Sequence, residues 1–193
     1  MGSTAIHRSA ALRALAWILA GFVLVAGLLL MGELSTPTYR KLISFGQVVP
    51  GWLADVMILI LISCFVLGLW AAGRSPGCGR LALGLSGGVG VVVAYGASEA
   101  FKILIGQDRP CRTILAVVEC PPVGDWSFPS NHATIAFAVA TATVLMVRRR
   151  WVGVVYGLAA LTAAARVVEG VHYPHDVVAG ALVGTCTVVA CTT

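Results

Sequence analysis

Charge is what this sequence has least of. Only 11% of its 193 residues are charged, with 13 Lys and Arg against 8 Asp and Glu. Soluble domains carry roughly 25%, so a soluble globular class is excluded. The hydrophobic share of 59% and the mean hydropathy of +0.93 point instead to a polytopic membrane protein. The acids are too scattered to resemble a two-metal site. The six cysteines include no CxxC pair and no matching Cys/His spacing, which excludes a zinc module. No basic stretch is interleaved with aromatics, so the net charge of +5 does not signal nucleic acid. A two-fold internal repeat, the mark of many transporters, is not visible. At this length one domain, 1–193, is expected.

Apolar runs are what the chain has in quantity. Six stand out: Ala14–Met31, Leu53–Ala72, Leu81–Ile105, Ala133–Val147, Trp151–Val168 and Val177–Cys191. A span needs about 20 mostly apolar residues. The fourth run is short unless Ser130 to His132 are counted with it, and the last ends at the terminus without a polar tail, as a trimmed chain would. The expected fold is all-α, a bundle of six transmembrane helices. The first run follows Arg8 and Arg13 as a signal peptide would, but it is too long and lacks a small-x-small cleavage site, so a retained helix is expected. The third run carries Gly84, Gly88, Gly90, Ala94 and Ser98, a small-residue face suited to close helix packing.

Loop cations orient the bundle. With a cytoplasmic N-terminus, the inner side holds Arg8, Arg13, Arg74, Arg80 and the anchor Arg148-Arg149-Arg150. The outer side holds Arg40, Lys41, Lys102, Arg109, Arg112 and Arg166. Seven against six is a weak bias, which sharpens to seven against three once Lys102, Arg109 and Arg166 are assigned to a site. Glu33, Asp108, Glu119, Asp125, Glu169 and Asp176 also fall outside. Cys111 and Cys120 flank one outer loop and are the pair suited to a disulfide in an oxidising compartment.

Ionisable residues beside membrane segments need a reason. Three stretches concentrate them. In "KILIGQDRP", Lys102 and Arg109 stand seven residues apart at one helix mouth, with Gly106 expected to end the helix. Alone, the pair also fits two cations reaching for the interface, and Glu99 one turn earlier offers Lys102 a counter-charge. In "DWSFPSNHATIAF", Pro129 and Ser130 read as the approach and N-cap of a helix starting near Asn131, with His132 in its first turn. A helix N-terminus is an anion site, although an ordinary cap with a surface His fits the same letters. In "ARVVEGVHYPHDVVAG", Arg166 closes a helix, His172 follows, and Asp176 lies in the next first turn, placed to accept from a ring N–H of His172. That arrangement makes a His a nucleophile or base; a loop His beside a capping Asp is the plainer alternative. Together the three helix ends supply three cations, a helix N-terminus, two His and an Asp, the parts that hold and transfer a phosphoryl group.

In order and spacing, Lys102…Arg109-Pro110, Pro129-Ser130-Asn131-His132 and Ala165-Arg166…His172…Asp176 resemble the type 2 phosphatidic acid phosphatase superfamily. Its pattern is Lys-x6-Arg-Pro, Pro-Ser-Gly-His and Ser-Arg-x5-His-x3-Asp. Asn131 replaces the usual Gly and Ala165 the usual Ser. Asn131 keeps its backbone N–H, and its side chain offers a polar group to the phosphate or leaving group. The resemblance implies that His172 attacks phosphorus and becomes a phosphohistidine, and that Asp176 orients its ring. It implies that His132 protonates the leaving oxygen and then activates water, in a bell-shaped pH profile. Lys102, Arg109, Arg166, Ser130 and the Asn131 N–H would hold the phosphoryl oxygens. No metal and no cofactor would be needed.

The implied protein is a metal-independent lipid phosphatase of a bacterial cytoplasmic membrane, its site facing outward and its partners the bilayer and a lipid substrate. That lipid is expected to be a polyprenyl phosphate or diphosphate carrier, or a polyprenyl-linked sugar phosphate, as in cell-envelope synthesis. Phosphatidylglycerol phosphate or phosphatidic acid is the alternative substrate. The competing class is a non-enzymatic anion transporter or channel, which accounts for the cations but not for the ordered His132, His172 and Asp176.

Overall fold

A computed structural model describes residues 2–43, 49–75, 78–114, 120–147 and 152–193. The Arg148-Arg149-Arg150 anchor and Glu119 lie outside the described residues. The described residues form helices and connecting loops: α1 (Gly2–Leu30), α2 (Gly32–Ile43), α3 (Trp52–Arg74), α4 (Gly79–Ile105), α5 (Pro110–Thr113), α6 (Asn131–Met146), α7 (Val152–Val168) and α8 (Pro174–Thr192). Among the described residues, each apolar run of the sequence falls on a helix to within a terminal residue. α1, α3, α4 and α8 are long and apolar enough to cross a membrane, whereas α6 and α7 are shorter. At 1.5 Å per residue, the 16 residues of α6 span about 24 Å, less than a hydrocarbon core of about 30 Å.

Local chemistry sets the helix ends that carry the site. α4 stops at Gly106, whose φ of 61° is the left-handed conformation that glycine adopts freely, and its N–H bonds the Lys102 carbonyl. α5 and α8 begin on Pro110 and Pro174, where a missing N–H costs nothing. Asp176 and Tyr173 close a capping box on α8.

α6 is the central helix. It packs against α8, α4, α7 and α3. Its buried residues are almost all Ala and Thr. A helix apolar on every side belongs inside a bundle, and small side chains let neighbours approach closely in lipid. α8 approaches so closely that a Cβ on Gly180 would fall 2.5 Å from the Ser130 carbonyl oxygen. A Cβ on Gly184 would strike the carbonyl oxygen of Thr134 and sit 2.9 Å from the Ala138 nitrogen. The small-residue face of α4 is Gly84, Gly87, Gly90, Ala94 and Ser98, continuing to Lys102. Gly87, not the expected Gly88, is on it, because the buried stripe follows three- and four-residue steps rather than a strict four-residue repeat.

α2 was not expected. Its sequence, GELSTPTYRKLI, is too polar to register as an apolar run. It packs on α7 and α8. Tyr39 is fully buried there and donates to the Gly170 carbonyl at 3.0 Å. Burial, and then Tyr173, push its phenol up to about 12, so it stays a donor at neutral pH.

Candidate active site

Helices running in alternate directions bring Lys102, His132, Arg166 and Asp176 to one end of the bundle. Arg109 and His172 lie in the loops at that end. His172 is the best-constrained group, 1% exposed. Arg109 Nη1 donates to its Nε2 at 3.0 Å. A guanidinium has no acceptor, so Nε2 must be the nitrogen with the lone pair and Nδ1 the one with the proton. Nδ1 then faces Asp176 Oδ2 at 3.4 Å and Ser127 Oγ at 3.5 Å. Burial first, then Arg109, Arg166, Lys102 and His132, hold the ring well below the usual histidine range. His172 is therefore a neutral imidazole of one fixed tautomer.

Asp176 is fully buried and fully engaged. Its Oδ2 accepts from Ser127 Oγ and from the Tyr173 N–H at 2.9 Å. Its Oδ1 accepts from Gln107 Nε2 at 3.2 Å and lies 3.1 Å from His175 Nε2. His175 stacks on Phe128 and Tyr173 and meets Ser35 of α2 through Nδ1. Gln107, Ser127 and His175 thus form a shell around Asp176 that the motifs do not name.

Lys102 and Arg109 converge on Asp125. Lys102 Nζ and Arg109 Nη2 each lie 2.8 Å from the same oxygen, Oδ1. Arg109 Nε also donates to the Asp125 carbonyl at 2.9 Å. Burial would raise the Asp125 carboxyl, but the two cations outweigh it and hold it below the usual carboxylate range. The expected counter-charge for Lys102, Glu99, is engaged otherwise: it accepts from Asn131 Nδ2, while Ser98 Oγ donates to Asn131 Oδ1 at 2.7 Å. The side chain of Asn131 is therefore tied to α4, not offered to a phosphate or leaving group.

Ser130 stands at the N-cap of α6 with extended backbone, but its side chain makes no cap. Its N–H instead donates to the Asp176 carbonyl at 3.0 Å, joining α6 to α8. Arg166 Nη1 donates to Glu169 Oε2 at 2.7 Å. Among the described residues, the buried side-chain N and O atoms without a hydrogen-bond partner are Ser130 Oγ and Arg166 Nε. His132 stands apart from the buried group, its Nε2 2.8 Å from Asp55 Oδ1 of α3. Cys111 and Cys120 are disulfide-bonded, their Cα atoms 5.9 Å apart.

Asp125 and Ser127 lay inside the quoted stretch and Gln107 between the two motif cations. Their roles were invisible because each depends on a partner from another segment. Asp55 did carry a signal, as an acid inside the apolar run Leu53–Ala72, but nothing in the sequence named its partner; Ser35 had none.

The decaprenylphosphoryl-5-phosphoribose phosphatase of Mycobacterium tuberculosis is 33% identical over 148 residues, 76% of this chain and 73% of that protein. The lipid A 4'-phosphatase of Bacteroides thetaiotaomicron is 35% identical over 78 residues, 40% of this chain and only 35% of that protein. The crystal structure of a transmembrane PAP2 type phosphatidylglycerolphosphate phosphatase from Bacillus subtilis shares the fold, with a TM-score of 0.63 at 18% identity over 93% of this chain and 94% of that one. A family model described as the PAP2 superfamily matches residues 82–193, more than half of the sequence and all three motifs. The chain belongs to the PAP2 superfamily.

Proposed function

We propose that this protein is a metal-independent lipid phosphatase that works through a phosphohistidine. The observation that carries this reading is the pair of unpartnered buried atoms, Ser130 Oγ and Arg166 Nε, at the same end of the bundle as a neutral His172. A buried polar atom without a partner is costly, and one donor on each of two helix ends suits an anionic ligand. Asp125 supports it further. One of its carboxylate oxygens meets Lys102 and Arg109 together, as a phosphoryl oxygen would.

In this mechanism Arg109 turns its Nη1–H from His172 Nε2 to the phosphoryl group, and the freed Nε2 lone pair attacks phosphorus in line with the leaving oxygen. Asp176 stabilises the charge that grows on the ring, as the carboxylate does in a Ser-His-Asp triad. Lys102, Arg109 and Arg166 take the charge of the equatorial oxygens, with Ser130 and the first N–H groups of α6 completing the cradle. His132 protonates the leaving oxygen, then takes a proton from the water that cleaves the phosphohistidine.

The further proposal is six membrane spans with the N-terminus in the cytoplasm of a bacterium and the site on the outer face of the inner membrane. The substrate proposed is a polyprenyl phosphate, diphosphate or polyprenyl-linked sugar phosphate, supported by the Mycobacterium tuberculosis relative, whose name specifies a decaprenyl lipid. A glycerolipid phosphate is the second reading, favoured by the name of the structural neighbour.

The test is phosphate release in detergent with EDTA present. Polyprenyl diphosphate, polyprenyl phosphate, a polyprenyl-linked sugar phosphate, phosphatidylglycerol phosphate and phosphatidic acid are offered to wild type and His172→Ala. Release from a polyprenyl lipid, lost by at least about a thousand-fold in the variant, is expected. Binding without release by the wild type would favour an anion carrier.

A further inference from the structure

The two histidines of the site obtain their carboxylates differently. Asp176 lies four residues after His172 in the same motif. The partner of His132 comes from another helix: Asp55 Oδ1, on the first turn of α3, lies 2.8 Å from His132 Nε2 on the first turn of α6. Asp55 also lies outside the 82–193 stretch matched by the family model. An acid in the first turn of α3 complements the dipole of its own helix. That explains its place on α3 but not its contact with α6.

A carboxylate accepts and cannot donate. With Nε2 facing Asp55, the ring must carry its proton on Nε2, which leaves Nδ1 to exchange a proton with the reaction. The other charged or titratable groups that act on His132 are Arg166 of α7, Arg109 beside α5 and His172 ahead of α8. Both arginines repel an imidazolium, so Asp55 is the facing group that opposes them.

We propose that Asp55 is a positioning residue for leaving-group protonation: it grips the His132 Nε2–H, fixes Nδ1 as the exchanging nitrogen and stabilises the imidazolium that donates to the departing oxygen. The proposal rests on the phosphatase reading above. As the bond from His172 Nε2 to phosphorus forms, the bond to the leaving oxygen breaks and that oxygen takes the Nδ1 proton of His132. His132 is left neutral with its Nε2–H still on Asp55. When water attacks the phosphohistidine, its proton returns to Nδ1, phosphate departs and His172 recovers its lone pair.

The experiment uses the full chain in detergent and a series of alkyl and aryl phosphate monoesters whose leaving groups rise in basicity. Wild type, Asp55→Asn and Asp55→Glu are compared by kcat/KM. Asp55→Asn is expected to lose about 10- to 100-fold on alkyl esters, whose alkoxide needs the proton, and to stay within about threefold of wild type on p-nitrophenyl phosphate, whose leaving group does not. Its dependence on leaving-group basicity is steeper than that of the wild type. Asp55→Glu recovers part of the loss. In a His132→Ala background Asp55→Asn has no further effect, because the two residues act as one unit.

A uniform loss across the series would overturn the proposal, because Asp55 would then support the site without regard to leaving-group protonation. No loss, or a loss additive with His132→Ala, would also overturn the proposal. If the wild type hydrolyses nothing in the series or in the lipid panel, the phosphatase reading itself fails. An active wild type with a flat variant ratio overturns the role of Asp55 alone.

Discussion

α1 and α6 are both strongly apolar, yet one is wrapped by the outside and the other by protein. Only 11% of the apolar window of α1 is buried, and its surface carries Leu15, Trp17, Ile18, Leu19 and Phe22. α6 buries ten of its 16 residues, nearly all Ala or Thr. Hydrophobicity does not separate them, because lipid tails are as apolar as a protein interior. Side-chain size does: small residues let helices touch, and contact is what remains to hold a bundle together in a bilayer. The helices that touch most closely, α6 and α8, are those whose first turns hold His132 and Asp176, and the Ser130 N–H to Asp176 carbonyl bond fixes one against the other.

The sharpest way to break this contrast is to give both classes a side-chain change. Gly184→Leu drives a side chain into the Thr134 carbonyl of α6 and is expected to cost more than about 3 kcal/mol. Val23→Ala, on the exposed face of α1, is expected to stay within about 0.5 kcal/mol. Detergent-solubilised yield and Tm report both. Equal losses would show that size does not sort these helices.

A smaller effect should appear with pH. In the proposed mechanism His172 must be neutral to attack, and its folded pKa lies well below the unfolded value of about 6.5. The acid limb of kcat/KM is therefore expected well below pH ~6.5. The sign for stability follows from the same shift. Below about pH 6.5 the unfolded chain binds a proton at this position that the folded chain refuses, so Tm falls as pH drops. His172→Gln should flatten that fall. An acid limb at or above about 6.5 would mean that the ring is not held as described.

The smallest effect on activity is expected at the loop. Cys111→Ser opens a bridge across nine positions, worth about 2–3 kcal/mol of loop order on the chain-entropy model. Arg112 still donates to the Pro121 carbonyl at 2.9 Å and to that of Pro122, so part of the loop shape persists. Tm should drop in non-reducing buffer, and activity should fall less than in any substitution within the site. An unchanged Tm would show the bridge to be idle.

Much of the site was legible because its groups sit at helix ends, which leave marks in sequence. Gly106 ends α4 and Asp176 falls in the first turn of α8 where expected, and Ser130 does precede α6. The side-chain roles were less legible. Ser130 looked like a cap but has no cap bond, the side chain of Asn131 looked available to a phosphate but is held by Ser98 and Glu99, and Glu99 looked like the partner of Lys102 but Asp125 takes that place. Each of these turns on which segment arrives from a distance, and α2, amphipathic and short, is too polar on average to form an apolar run.

Scarce charge and the sizes of the apolar residues were enough to dictate a membrane bundle, and the spacing of Lys102, Arg109, His172 and Asp176 was enough to dictate that their chemistry meets at one end. Spacing along a chain specifies which residues share a turn or a helix end, because those distances are set by the backbone. It does not specify contacts between helices. Asp55 on His132 was decided by the packing of α3 on α6, Asp125 across Lys102 and Arg109 by the loop that returns to the end of α4, and Gln107 and His175 on Asp176 by what surrounds the first turn of α8, where burial leaves the carboxylate no partner except those the packing delivers.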